Sequence, residues 1–227
     1  GPLSPAAAEP IIRQLAAALE AAHLQGVVHR DIKPSNIILV GDRAVVTDFG
    51  LAIPSINFPA AGPSLTTLTL SGQLIGTPEY MAPEQVWCDA ATGSIDIYAL
   101  GIILYELLTA RVPFQAETSM ETMELVINQE PVSPRLFQPS LPRDLETICL
   151  KCLQKTAERR YATADALADD LRRWLDGKPI HARPVGRVER SIRLVKRNPT
   201  IAALSGLIVL VAMTGLAGVF WGWSKAQ

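Results

Sequence analysis

Residues 29–36 read His29-Arg30-Asp31-Ile32-Lys33-Pro34-Ser35-Asn36, and Asp48-Phe49-Gly50 follows a short distance downstream. Together the two stretches supply a carboxylate, Asp31, a cation two residues on, Lys33, and two oxygen ligands for a hard metal ion, Asn36 and Asp48. A further block, Gly76-Thr77-Pro78-Glu79-Tyr80-Met81-Ala82-Pro83-Glu84, comes next. One such stretch arises easily by chance; all of them in this order do not.

Working outward, residues 5–24 predict a helix. Ile11, Ile12, Leu15, Leu19 and Ala22 recur at helical spacing, Ser4-Pro5 offers a cap and a first-turn proline, and Gly26 closes it. Residues 37–40 and 44–47 predict a β-hairpin turning at Gly41-Asp42. Residues 51–75, rich in Pro, Gly, Ser and Thr, read as a long loop, and long loops in compact domains are usually functional. The run 95–109 is apolar nearly all round, the pattern of a central buried helix. Further helices are predicted at 117–129, 142–154 and 163–175.

The formal net charge is −1, which excludes a global electrostatic case for nucleic-acid binding. Positive charge is local instead: Arg187, Arg190, Arg193, Lys196 and Arg197 crowd 187–197. Cys88, Cys149 and Cys152 are too few and badly spaced for a disulfide scaffold. Cys149 and Cys152 have CxxC spacing, but they fall on one face of a predicted helix, as buried thiols do. Residues 201–223 contain no charged residue; at ~1.5 Å per residue they span ~34 Å, enough for a hydrocarbon core of ~30 Å. Trp221 and Trp223 at one end suit an interfacial anchor.

Taken with their order, the motifs resemble those of eukaryote-like bacterial serine/threonine protein kinases. The resemblance implies a mainly α fold: a protein-kinase-like C-lobe with a short β-hairpin around the catalytic loop, followed by a single transmembrane helix. It implies a C-lobe over residues 1–175, a basic juxtamembrane linker over 176–198, a transmembrane helix over 199–223 and a short tail, 224–227. The reaction implied is transfer of the ATP γ-phosphate to protein Ser/Thr hydroxyls. Asp31 would orient the substrate hydroxyl and accept its proton, Lys33 would contact the transferring phosphate, and Asn36 and Asp48 would hold Mg2+. Lys33, with Thr77 ahead of Pro78, resembles the serine/threonine branch. Glu84 would pair with Arg160, and Asp96 would bond the catalytic-loop backbone. Arg30 matches the arginine associated with activation-loop phosphorylation, for which Ser64, Thr66, Thr67, Thr69 and Ser71 are candidate phosphosites. Thr156-Ala157 stands where the family often has Asp-Pro, which draws attention to that turn.

The resemblance covers the C-terminal lobe. Before His29 the only glycines are Gly1 and Gly26, and the first lysine is Lys33. A Gly-rich phosphate loop and a β-strand lysine are therefore not found in these residues, and the lobe alone is expected to be inactive. The chain opens at Gly1 rather than Met, as a piece of a longer protein would. The alternative is a truncated, membrane-tethered pseudokinase acting as a binding module. Expected partners are a protein substrate and the lipid bilayer, with dimers formed through the kinase lobe or through the span, where Gly218 and Gly222 have small-residue spacing. The expected location is the inner or plasma membrane, single-pass, with the lobe on the cytoplasmic side, because the cationic run precedes the span and Lys225 alone follows it.

Overall fold

A computed structural model describes residues 1–49, 77–87 and 92–182. The expected phosphosites, the linker beyond residue 182 and the span over 199–223 lie outside these residues. Among the described residues no helix is long and apolar enough to cross a membrane.

Helix α1 runs Pro5–His23, with the Ser4 hydroxyl accepting from the Ala7 amide at 3.3 Å. Gly26 then takes φ 74°, a left-handed turn that glycine enters at little cost. Strands β1 (Ile37–Val40) and β2 (Arg43–Val46) form an antiparallel pair in register Ile37↔Val46 to Val40↔Arg43, turning at Gly41 with φ 58°. The one-turn helix α2 (Pro83–Val86) starts at a proline, which suits a first helical position.

Helix α3 (Ser94–Thr109) is the hub, its buried residues lying on every face, as expected of a stretch hydrophobic all round. Helices α4 (Ser119–Asn128), α5 (Arg143–Cys152) and α6 (Ala164–Leu175) follow. Each begins and ends within a few residues of its predicted bounds. The Thr118 and Thr163 hydroxyls cap α4 and α6 by accepting amide hydrogens, which satisfies donors a helix start leaves open. Tyr98, Leu100, Leu104, Ile148, Leu167 and Leu171 are among the residues forming one continuous core.

Helices α3 and α5 touch closely at Gly101. A Cβ there would lie 2.6 Å from Cys152 Cβ and 3.0 Å from Leu153 Cδ2, so only glycine allows this approach. Cys149 and Cys152 are fully buried, and Cys149 Sγ donates to the Gly101 carbonyl at 3.6 Å. Burial pushes the Cys152 thiol up to about 12 and Cys149 well above its ordinary value, so both behave as inert core groups.

The chain divides into two units. The first comprises residues 1–176 and, among those described, 180–182. In the second only 177–179 are described; Gly177 there has φ 67°.

Candidate active site

The segment between α1 and β1 carries the site, and its backbone is tightly held. Asp96, fully buried at the start of α3, accepts from the His29 amide on Oδ2 at 2.9 Å and from the Arg30 amide on Oδ1 at 2.8 Å. A buried carboxylate needs such donors to offset lost hydration. His23, at the end of α1, adds a third, its Nε2 lying 2.7 Å from Asp96 Oδ2. His23 was not singled out from the sequence, where it reads as an ordinary last-turn residue. Its ring rests on Gly93, at which a Cβ would come within 2.8 Å of His23 Nδ1.

The His29 ring joins this segment to the hairpin. Its Nε2 lies 2.8 Å from the Thr47 carbonyl, and its Nδ1 accepts from the Asp31 amide at 3.3 Å. The tautomer carrying hydrogen on Nε2 satisfies both. Phe49 meets the same ring edge-on, with centroids 4.8 Å apart.

Arg30 has φ 71° and Asp48 φ 63°, a region in which an L-residue is strained. The strain at Arg30 sits immediately before Asp31. Both polar groups of the Arg30 backbone are occupied: its amide by Asp96, and its carbonyl by Gln85 Nε2 from α2 at 2.7 Å. Gln85 is a second contributor that sequence reasoning did not identify.

Asp31, Lys33 and Asn36 converge. Lys33 Nζ is 2.8 Å from Asp31 Oδ2. Asn36 Nδ2 donates to the Asp31 carbonyl at 2.8 Å and to Asp31 Oδ2 at 3.2 Å. With its nitrogen engaged, Asn36 is left with Oδ1 as its ligating atom. Asp48 is exposed and lies next to Thr47, whose amide donates to the Asn36 carbonyl at 2.9 Å and whose hydroxyl lies 3.2 Å from that carbonyl and 3.5 Å from Asp48 Oδ2. The Asn36 amide oxygen and the Asp48 carboxylate are hard oxygens of the kind magnesium takes.

The remaining predicted residues are spread over the supporting frame. Thr77 is half-buried and precedes the 3-10 turn Pro78–Tyr80. Tyr80 in that turn donates its hydroxyl to Glu106 Oε2 of α3 at 2.7 Å. Arg160 grips Glu84 with two parallel bonds, Nη1 to Oε1 at 2.5 Å and Nη2 to Oε2 at 2.7 Å. Its Nε also donates to the Gln154 carbonyl and its Nη2 to the Lys155 carbonyl. Arg160 thus braces the 154–160 turn, where Ala157–Arg159 form a 3-10 turn without the Asp-Pro of the family pattern. Burial alone would raise the Glu84 carboxyl, but the Arg160 bonds and charge overcome it and hold the group below its ordinary value.

A family model for the protein kinase domain matches residues 1–171. The chain belongs to the protein kinase domain family. It is 39% identical over 166 residues to a probable serine/threonine-protein kinase of Streptomyces coelicolor, covering 73% of this chain and 24% of that protein. It is 36% identical over 183 residues to the serine/threonine-protein kinase PknB of Mycobacterium tuberculosis, covering 80% of this chain and 28% of that protein. It is 39% identical over 178 residues to the serine/threonine-protein kinase PrkC of Bacillus subtilis, covering 78% and 26% respectively. The chain spans about a quarter of the length of these relatives. Among the described residues, the mainly helical architecture with a two-stranded sheet agrees with a kinase fold.

Proposed function

We propose that this chain forms the catalytic-loop lobe of a protein serine/threonine kinase. The observation that carries the proposal is the convergence of Lys33 and Asn36 on Oδ2 of Asp31, on a backbone locked by Asp96. With Oδ2 engaged by two donors, Oδ1 is the oxygen that would receive the proton of a substrate Ser/Thr hydroxyl. The hydroxyl oxygen then attacks the γ-phosphorus of ATP, the bond to the bridging oxygen breaks, and ADP leaves. Lys33 would neutralise charge on the transferred group. Asn36 and Asp48 would hold Mg2+, which when bound shields the phosphate charges. The lobe itself contributes positioning and fixed charge, which supply most of the rate in this chemistry.

The test is phosphate incorporation from labelled ATP into a protein substrate by the natural protein that carries this chain. Transfer that disappears in Asp31→Asn supports the reading; transfer that persists in it removes Asp31 from the mechanism.

The same proposal extends to location. The uncharged run 201–223, the cations of 187–197 and the need for cytoplasmic ATP support a single-pass membrane protein with this lobe on the cytoplasmic side. A reporter active only outside the membrane, fused after Gln227, is expected to give signal, and fused at Gly1 to give none. Dimerisation and activation-loop phosphorylation at Thr66, Thr67, Thr69 or Ser71 belong to the same proposal and rest on resemblance.

A further inference from the structure

The family match ends at residue 171, yet the first compact unit continues beyond it. Ile180 is 3% exposed and belongs to the core. The two amides after it are captured by one side chain, the fully buried carboxylate of Asp170 on α6. His181 N donates to Oδ1 at 2.6 Å and Ala182 N to Oδ2 at 2.8 Å. The third donor to this carboxylate is the Tyr161 hydroxyl, 2.9 Å from Oδ2. A buried carboxylate is at ease only while its donors remain, so loss of the two amides would force Tyr161 and Asp170 to readjust.

Tyr161 directly follows Arg160, whose guanidinium holds Glu84 and stacks 4.8 Å over the Tyr98 ring. Glu84 directly precedes Gln85, which donates to the Arg30 carbonyl and accepts from the Ala82 amide at 2.9 Å. Arg30 is the strained residue before Asp31. An unbroken series of hydrogen bonds and peptide links therefore runs from residues 181–182 to the residue proposed to take the substrate proton.

We propose that residues 180–182 are a docked strap that regulates the catalytic loop. Docked, the strap keeps Tyr161, Arg160 and α2 in the arrangement that lets Gln85 clamp the strained Arg30 peptide. Released, it lets the clamp slacken and the backbone before Asp31 relax. Gln85 is in this view a positioning residue. The consequence for catalysis rests on the kinase reading above; the coupling does not.

Amide hydrogen exchange on the 227-residue chain tests the coupling without any activity readout. Tyr161→Phe removes one hydroxyl and keeps the ring. It is expected to speed exchange of the His29 and Arg30 amides about threefold or more, with the α1 amides of residues 12–19 unchanged. Asp170→Asn should do the same more strongly. In a Gln85→Ala background, Tyr161→Phe should add nothing at the loop, because the last link is already cut. Unchanged loop exchange in Tyr161→Phe overturns the proposal. So does an equal effect with and without Gln85, or loosening that spreads evenly through α1 and α3. Expected exchange together with phosphotransfer that survives Asp31→Asn would instead fault the kinase reading alone.

Discussion

The guanidinium of Arg160 and the carboxylate of Glu84 meet in a two-pronged ion pair, 2.5 and 2.7 Å, that joins the turn before α6 to helix α2. The Arg160 side chain is completely buried and that of Glu84 is 13% exposed. Removing either partner leaves the other buried without its counter-charge. Arg160→Ala and Glu84→Ala should each lower stability by about 3–5 kcal/mol in denaturant unfolding. Melts unchanged within error in both would refute a stabilising pair.

The same pair has a pH signature. Glu84 is held below its ordinary value near 4.5, so its contribution to stability is complete above about pH 4.5. It is lost as pH falls through the lower folded value, because the folded state must then bind a proton it resists. The stability gap between wild type and Glu84→Gln should therefore be widest at neutral pH and narrow on acidification below 4.5. A gap that widens in acid contradicts the assignment.

Asp96→Ala deletes the acceptor for the His29 and Arg30 amides and for His23. Each orphaned buried donor costs about 1–3 kcal/mol. The variant should unfold at markedly lower denaturant, and its loop amides should lose exchange protection before those of α3. Protection retained at His29 and Arg30 would show that something else holds the loop.

Asp48 is exposed, so its charge does little for the fold. Its φ of 63° makes asparagine, which tolerates that conformation, the right replacement. Asp48→Asn should stay within ~0.5 kcal/mol of wild-type stability. In the natural protein it should cut phosphotransfer about a hundredfold or more, as loss of a metal ligand would. Near-normal transfer would remove Asp48 from the proposed magnesium site.

Gly101→Ala places a methyl group 2.6 Å from Cys152 Cβ, both being on packed helices. Overpacking of this kind costs about 1–3 kcal/mol. Pairing it with Cys152→Gly, which removes the opposing Cβ, should leave the double variant less destabilised than the sum of the two single substitutions, whereas strict additivity would show that the contact is not the cause. Coupling in a double-mutant cycle is the expected outcome.

Lys155 lies 3.8 Å over the Phe114 ring and donates Nζ to the Val126 carbonyl at 2.5 Å. Burial pushes its ammonium down to about 8, with Glu130 opposing. Amine acylation at Lys155, followed by mass spectrometry across pH, should show a midpoint near 8. A midpoint near 10.5 would mean the group is fully solvated.

Local pattern determined a good deal here. Helical spacing marked α1, α5 and α6, with a cap at Ser4 for α1, a continuous apolar run marked α3, and Gly41-Asp42 between β-rich runs marked the hairpin, because these signals act between residues a few positions apart. The chain order of the motifs singled out Asp31, Lys33, Asn36 and Asp48 as candidates, with their roles in phosphoryl transfer supplied by resemblance. The pairing of Arg160 with Glu84 and the role of Asp96 came from resemblance alone; only the tertiary structure supplies the distances. His23, Gln85, Gly101 and Asp170 carried no local signal. Each owes its role to a group far away in sequence: Asp96 for His23, the Arg30 carbonyl for Gln85, Cys152 for Gly101, and the amides of residues 181–182 together with Tyr161 for Asp170. A polar side chain's partner is decided by which segments the core packs together, and that packing is a property of the whole domain rather than of any stretch within it.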